Sequence, residues 1–222
     1  MKILAISDEE IPALWDYYTP GRLDDYDLII SCGDLKADYL SFLVTMAHCP
    51  VLYVHGNHDG SYDRFPPEGC DCIDDQIVVY NGIRILGLGG CLRYHPGDYQ
   101  YTDRQMARRI AKLHWKIRRL GGIDIVVTHA PPCGVGDAED PAHHGFESFL
   151  ELMELYKPKY LLHGHVHLRY GVALGEKPQR EHQYLDTTVI NVSERYALEL
   201  PNAPFPEKHR GQLVWKTKHK DR

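Results

Sequence analysis

A chain of 222 residues with 43% hydrophobic content is long enough to bury one well-cored domain, and a formal net charge of −6 argues against holding long nucleic acid by charge alone. No apolar run approaches the roughly 20 residues that a membrane helix needs, and the N-terminus enters a strand pattern directly rather than a signal peptide. A cytoplasmic protein with no membrane partner is therefore expected; its six cysteines (Cys32, Cys49, Cys70, Cys72, Cys91, Cys133) lack zinc spacing, and in a cytosolic chain they read as reduced thiols rather than a disulfide framework.

Short apolar runs at Ile3–Ile6, Leu28–Ile30 and Val51–Val54 read as buried strands. Between the last two, Leu40, Leu43, Val44 and Ala47 follow helical spacing. Ile77–Val79 and Ile83–Leu88 flank Asn81-Gly82, a hairpin signal. Thr102 and Gln105 form a capping box ahead of Met106, Ile110, Leu113, Ile117 and Leu120, and Gly121-Gly122 closes that helix. Its seven Lys and Arg residues read as a solvated face opposite the apolar stripe. Ile125–Val127 is a further strand, Phe146–Tyr156 a helix stopped before Pro158, and Tyr160–Leu162 another strand. Val172–Leu174, Val189–Val192 and Tyr196–Leu200 suggest late hairpins. Alternation of strands and helices implies a parallel α/β core that becomes mixed in its second half. The chain is read as a single domain over 1–222. The segment from Pro201 carries six Lys/Arg against two Asp/Glu, hence +4, and is expected to be a loosely packed basic end with a surface strand at Leu213–Trp215.

Five of these runs end in polar patches: Asp8-Glu9-Glu10, Gly33-Asp34, Gly56-Asn57-His58-Asp59, His129, and His163-Gly164-His165-Val166-His167. Parallel strands deliver such patches to one sheet edge. Asp8 and Asp34 offer hard oxygens, Asn57 an amide oxygen, and His129, His165 and His167 imidazole nitrogens. This N/O set without thiolate suits a divalent ion such as Mn, Fe or Zn. Asp34 is the natural bridge between two ions roughly 3.5–4 Å apart, an arrangement that activates water against phosphorus. His58 is placed to donate a proton to a leaving oxygen, and Asp59 to fix the tautomer of its ring.

These motifs resemble the calcineurin-like metallophosphoesterase family, whose pattern runs D-x-H, G-D, G-N-H followed by Asp or Glu, an isolated H, and G-H-x-H. The resemblance spans Asp8 to His167. It implies a four-layer αββα sandwich of two mixed β-sheets with a dinuclear site at the strand ends. It assigns Asp8, Asp34 and His167 to one ion, Asp34, Asn57, His129 and His165 to the other, and the general acid to His58. One position departs: Glu10 stands where the family has histidine. As a ligand, Glu10 would harden the site toward Mn, Mg or Fe over Zn.

Around the patches, Arg93 is a candidate phosphate contact, and His143 and His144 are candidates for touching the substrate. Cys133 reads as a loop thiol, and Tyr94, Tyr99 and Tyr101 as packing residues. The expected function is hydrolysis of a small phosphomonoester or phosphodiester, including nucleotides, with two divalent ions, Mn foremost. Nucleic acid is not an expected partner. The alternative is a metal-bearing scaffold for protein partners with little catalysis, which the replacement at Glu10 favours. Oligomeric state is not legible from the chain.

Overall fold

A computed structural model describes residues 1–168 and 179–200; the expected strand at Val172–Leu174 and the basic segment from Pro201 lie outside them. The apolar runs become β1 (Lys2–Ser7), β2 (Leu28–Ser31) and β3 (Val51–Tyr53), with α1 (Ala37–Met46) between the last two. β4 (Asp71–Cys72) adds an edge. β5 (Gln76–Tyr80) and β6 (Ile83–Leu88) pair antiparallel. Asn81 (φ 48°) and Gly82 (φ 82°) are both left-handed at their turn, as a two-residue hairpin of this type needs. β7 (Cys91–Leu92) and β8 (Gln100–Tyr101) form a small separate ribbon. Then come α2 (Asp103–Leu120), β9 (Ile125–Thr128), α3 (Glu147–Tyr156) and β10 (Tyr160–His163). β11 (Glu181–Tyr184), β12 (Thr187–Asn191) and β13 (Glu194–Glu199) complete the described chain.

Two sheets result, ordered β13-β1-β2-β3-β4 and β11-β12-β10-β9-β6-β5. β1, β2, β3 and β4 run parallel, as do β6, β9, β10 and β12. The late strands are not one run of hairpins. β12 pairs with β11 as a hairpin but also lies parallel to β10, whereas β13 crosses to the other sheet and pairs antiparallel with β1. Its Tyr196 and Leu198, with Leu200 just beyond its end, face the layer between the sheets.

Strand alternation builds the layers. On β1, Ile3 and Ala5 face the space between the sheets, with Ile30, Leu52, Ile85, Val127, Leu162 and Ile190. Leu4 and Ile6 face outward onto Tyr39, Leu40 and Leu43 of α1. On the far side Leu86, Val126, Leu161 and Val189 meet Met106, Ile110, Leu113 and Ile117 of α2 and Phe149, Leu152 and Met153 of α3. The order is therefore helix, sheet, sheet, helices: a four-layer αββα sandwich.

α2 starts at the expected capping box, with Thr102 Oγ1 accepting the Gln105 N–H at 3.3 Å and Gln105 Oε1 accepting the Thr102 N–H at 2.8 Å. It ends at left-handed Gly121. Its five buried apolar side chains contribute about 1.5–3 kcal/mol each in gross burial energy. Arg104, Arg108, Lys112, Arg118 and Arg119 are exposed. Arg109 is tied inward instead, to Asp75 Oδ1 at 2.8 Å and the Gly89 carbonyl at 2.7 Å, over the Tyr101 ring. No helix among the described residues is long and apolar enough to cross a membrane.

Candidate metal centre

The loops after β1, β2 and β3 meet those after β9 and β10 where the two sheets face each other. Asp8, Asp34 and His165 all take left-handed φ values of 67°, 57° and 68°, strained for non-glycine residues and held by their surroundings. Glycine lets two of these loops touch: a β-carbon on Gly56 would overlap the Asp34 carboxylate and backbone.

His129 is fully buried and crosses between sheets. Its Nδ1–H donates to the Cys32 carbonyl at 2.8 Å, which leaves Nε2 with the lone pair. Nε2 stands 3.0 Å from Asn57 Oδ1 and 3.3 Å from Asp34 Oδ2. Asn57 keeps that orientation because its Nδ2 points to the Tyr94 hydroxyl at 3.5 Å. Three electron-pair donors thus face one another, an arrangement that requires positive charge between them. A proton is the minimal answer. Burial lowers the His129 pKa, but the Asp34 charge and hydrogen bond, with Asp8 and the Cys32 carbonyl, outweigh it and raise it to about 9. Burial likewise opposes ionisation of Asp34, but His129 and the His58 N–H, 2.8 Å from Oδ1, hold its carboxyl well below the usual range.

His165 completes the cluster. Its Nε2–H donates to the Ala142 carbonyl at 2.7 Å, freeing Nδ1. Burial first, then the His129 charge, lower its pKa to about 3, so the ring is a neutral ligand. Asp34, His129 and His165 each bring one ligand atom within 4.8 Å of the others. With Asn57 Oδ1 they make an N/O donor set that fits a divalent ion.

The other half of the expected site is assembled differently. Asp8 accepts the His165 N–H on both oxygens, at 2.9 and 3.1 Å, and burial raises its pKa. His167 lies at an exposed edge, its Nδ1 3.3 Å from Glu9 Oε1. Glu10 is not turned to these residues. The left-handed turn at Asp8 carries it to the start of α1, where it accepts the Lys36 N–H at 3.2 Å and faces Lys36 Nζ at 3.4 Å; a helix N-terminus favours a carboxylate.

His58 Nε2 lies 4.0 Å from Asp34 Oδ2 on a largely exposed ring. Asp59 does not orient that ring as expected. It is buried, and its Oδ2 accepts the N–H groups of Gly56 at 2.7 Å and Asp34 at 2.9 Å, joining the two glycine-bearing loops. Burial and then the Asp34 charge raise its pKa to about 6.

Arg93 donates to the Gln100 carbonyl at 3.2 Å and Gln105 Oε1 at 3.4 Å, and with Tyr94, His95, Pro96 and Gly97 lines a cleft of about 530 Å³. His143 Nδ1 is 3.0 Å from both Asp140 oxygens, and its ring lies 5.3 Å from that of His165. His144 instead meets Cys133 and Asp137. Tyr99 stacks on His55 at 4.3 Å and Tyr101 lies under Arg109, as packing residues. Tyr94 is more than that, since it turns Asn57. No sequence signal marks Glu9 as the partner of His167, or the Cys32 and Ala142 carbonyls, which carry no side-chain signature.

The convergent donors Asp34, His129 and His165 form a candidate metal-binding group. The profile of the calcineurin-like phosphoesterases matches residues 1–169, and the chain belongs to that family. It is 25% identical over 200 residues to the UPF0046 protein K07C11.7 of Caenorhabditis elegans, over 78% of this chain and 65% of that protein; the chain thus spans just under two thirds of that relative. Its fold is that of the crystal structure of TT1561 of Thermus thermophilus (TM-score 0.58, 17% identity, 87% of this chain and 89% of that one). A second crystal structure gives a TM-score of 0.61 at 16% identity, over 87% and 90% of the two chains.

Proposed function

We propose that the protein hydrolyses small phosphate esters, monoesters or diesters and nucleotides among them, with divalent metal as cofactor. The observation that carries this reading is the meeting of His129 Nε2, Asn57 Oδ1 and Asp34 Oδ2 at 3.0 and 3.3 Å, completed by His165. These four residues would hold one ion; Asp8 and His167, sharing Asp34, would hold a second more weakly. Bound ions of the Mn class supply charge neutralisation at the phosphoryl oxygens and a water of lowered pKa. The Cys32 and Ala142 carbonyls fix the two rings so that their lone pairs face inward. Asp59 fixes Asp34 by clamping its backbone N–H. His58, exposed beside Asp34, donates a proton to the leaving oxygen, and Arg93 and His143 flank the phosphate. Six free thiols suit a reducing compartment such as the cytoplasm.

The second reading, a metal-bearing scaffold, draws support from Glu10, which has left the family's ligand position for Lys36. Hydrolysis of para-nitrophenyl phosphate and its bis ester after chelation and refilling with Mn separates the two. Turnover that His58→Asn abolishes without loss of metal supports the enzyme. A protein that binds metal and turns over neither ester supports the scaffold.

A further inference from the structure

The segment between β9 and α3 carries a second cluster that the proposed chemistry does not use. Its two stalks pair: the Cys133 N–H donates to the Phe146 carbonyl and the Phe146 N–H to the Pro131 carbonyl, each at 3.1 Å. This pairing sets Cys133 beside His144. Cys133 Sγ lies 3.6 Å from His144 Nε2, and His144 Nδ1 lies 3.3 Å from Asp137 Oδ2. Asp137 Oδ2 also accepts the Gly145 N–H at 3.1 Å, so the carboxylate is anchored. One ligand atom from each of the three residues lies within 4.8 Å of the others.

We propose that Cys133, Asp137 and His144 form a separate site for a single thiophilic divalent ion of the zinc class. A tetrahedral zinc with Zn–S of about 2.3 Å and Zn–N of about 2.0–2.1 Å sets sulfur and nitrogen about 3.5 Å apart, and the Sγ–Nε2 edge already has this length. The electrostatics favour a cation over a free nucleophilic thiolate. Burial, then the charges of Asp137, Glu147 and Asp103, push the Cys133 thiol up, and the same negative field attracts a dication that displaces the thiol proton. The thiolate selects a softer ion than the N/O centre does. The ion would brace the loop whose Ala142 carbonyl fixes the His165 ring.

The test uses the full chain with its N/O centre filled by Mn, titrated with Co²⁺ and followed by the near-ultraviolet sulfur-to-cobalt charge-transfer band. One further equivalent of Co²⁺ is expected to produce the band. Cys133→Ser removes it, and His144→Gln weakens Co²⁺ binding by about tenfold or more. Cys72→Ser leaves it, although Cys72 sits in another thiol-bearing cluster with His55 and Asp74. Circular dichroism checks that each variant is folded. The proposal is overturned by a wild-type protein without the band, by a band that survives Cys133→Ser or depends on Cys72, or by unchanged affinity in His144→Gln. A Cys133 that alkylates rapidly and binds no cobalt would overturn it too, and would point instead to a thiol–imidazole nucleophile.

Discussion

Asp59 is the residue whose role differs most between its motif and its surroundings, and removing it gives a sharp test. Its carboxylate is buried and accepts two backbone N–H groups, from Gly56 at 2.7 Å and Asp34 at 2.9 Å. Asp59→Ala strands both donors at a desolvation cost of about 1–3 kcal/mol each, so the loss is about 2–5 kcal/mol after partial rehydration. For a chain of this size that lowers Tm by roughly 4–20 °C. Asp59→Asn keeps an acceptor oxygen but loses its charge, and should cost about 1–2 kcal/mol. Urea denaturation with the slope m checked for constancy measures both. Because the clamp also sets Asp34, Asp59→Ala should lose metal affinity in parallel, with Asp59→Asn between it and the wild type. Stability within about 0.5 kcal/mol of wild type for Asp59→Ala, a range ordinary for surface substitutions, would refute the clamp. It would restore the view of Asp59 as an orienting partner of His58.

Gly56→Ala, which drives a methyl into Asp34, should abolish metal binding or prevent folding, read as metal content and soluble yield; a well-folded, metal-replete variant would contradict the interlocked loops. Glu10→Gln keeps an acceptor for the Lys36 N–H and removes only the charge facing Lys36 Nζ, and should leave metal content unchanged and stability within about 1 kcal/mol, by metal analysis and denaturation. His55 offers a pH test. Burial lowers its pKa, but the Asp74 hydrogen bond and charge, helped by Cys72, outweigh this and raise it to about 10. A histidine raised above its ordinary value stabilises fully below about 6.5. That stability is lost as pH rises to about 10, so the urea midpoint should fall over this window. His55→Gln should flatten the fall; an equal slope in both proteins would exclude His55 as its source.

The parts of the fold that can be read in the chain are those where one-dimensional pattern and burial coincide. β1, β2, β3, β9 and β10 are buried on both faces and so appear as apolar runs. α2 is announced by its capping box and ended by Gly121. β11 escapes such a reading because an edge strand of sequence Glu181–Tyr184 has little to bury. The pairing of β13 with β1 joins the first and last described strands, and no local signal specifies such a contact. The donors of the N/O cluster are legible as residue types at strand ends. What orients them is not: carbonyls of Cys32 and Ala142 carry no side-chain identity, and Tyr94 looks like one more aromatic. Glu10 and Asp59 depart from expectation for a shared reason. A carboxylate beside a motif suggests a ligand or an orienting partner, while backbone N–H groups compete for the same oxygens and here hold them.

The proposed hydrolysis depends on Asp34, His129, Asn57 and His165 closing around a divalent cation. The direct measurement is the number of ions retained after Mn loading and dialysis, by elemental analysis of the wild type, Asp34→Ala and His129→Ala. At least one ion per wild-type chain, lost from both folded variants, is the predicted result. A wild type that retains none, or an Asp34→Ala protein that keeps its full complement, would contradict it.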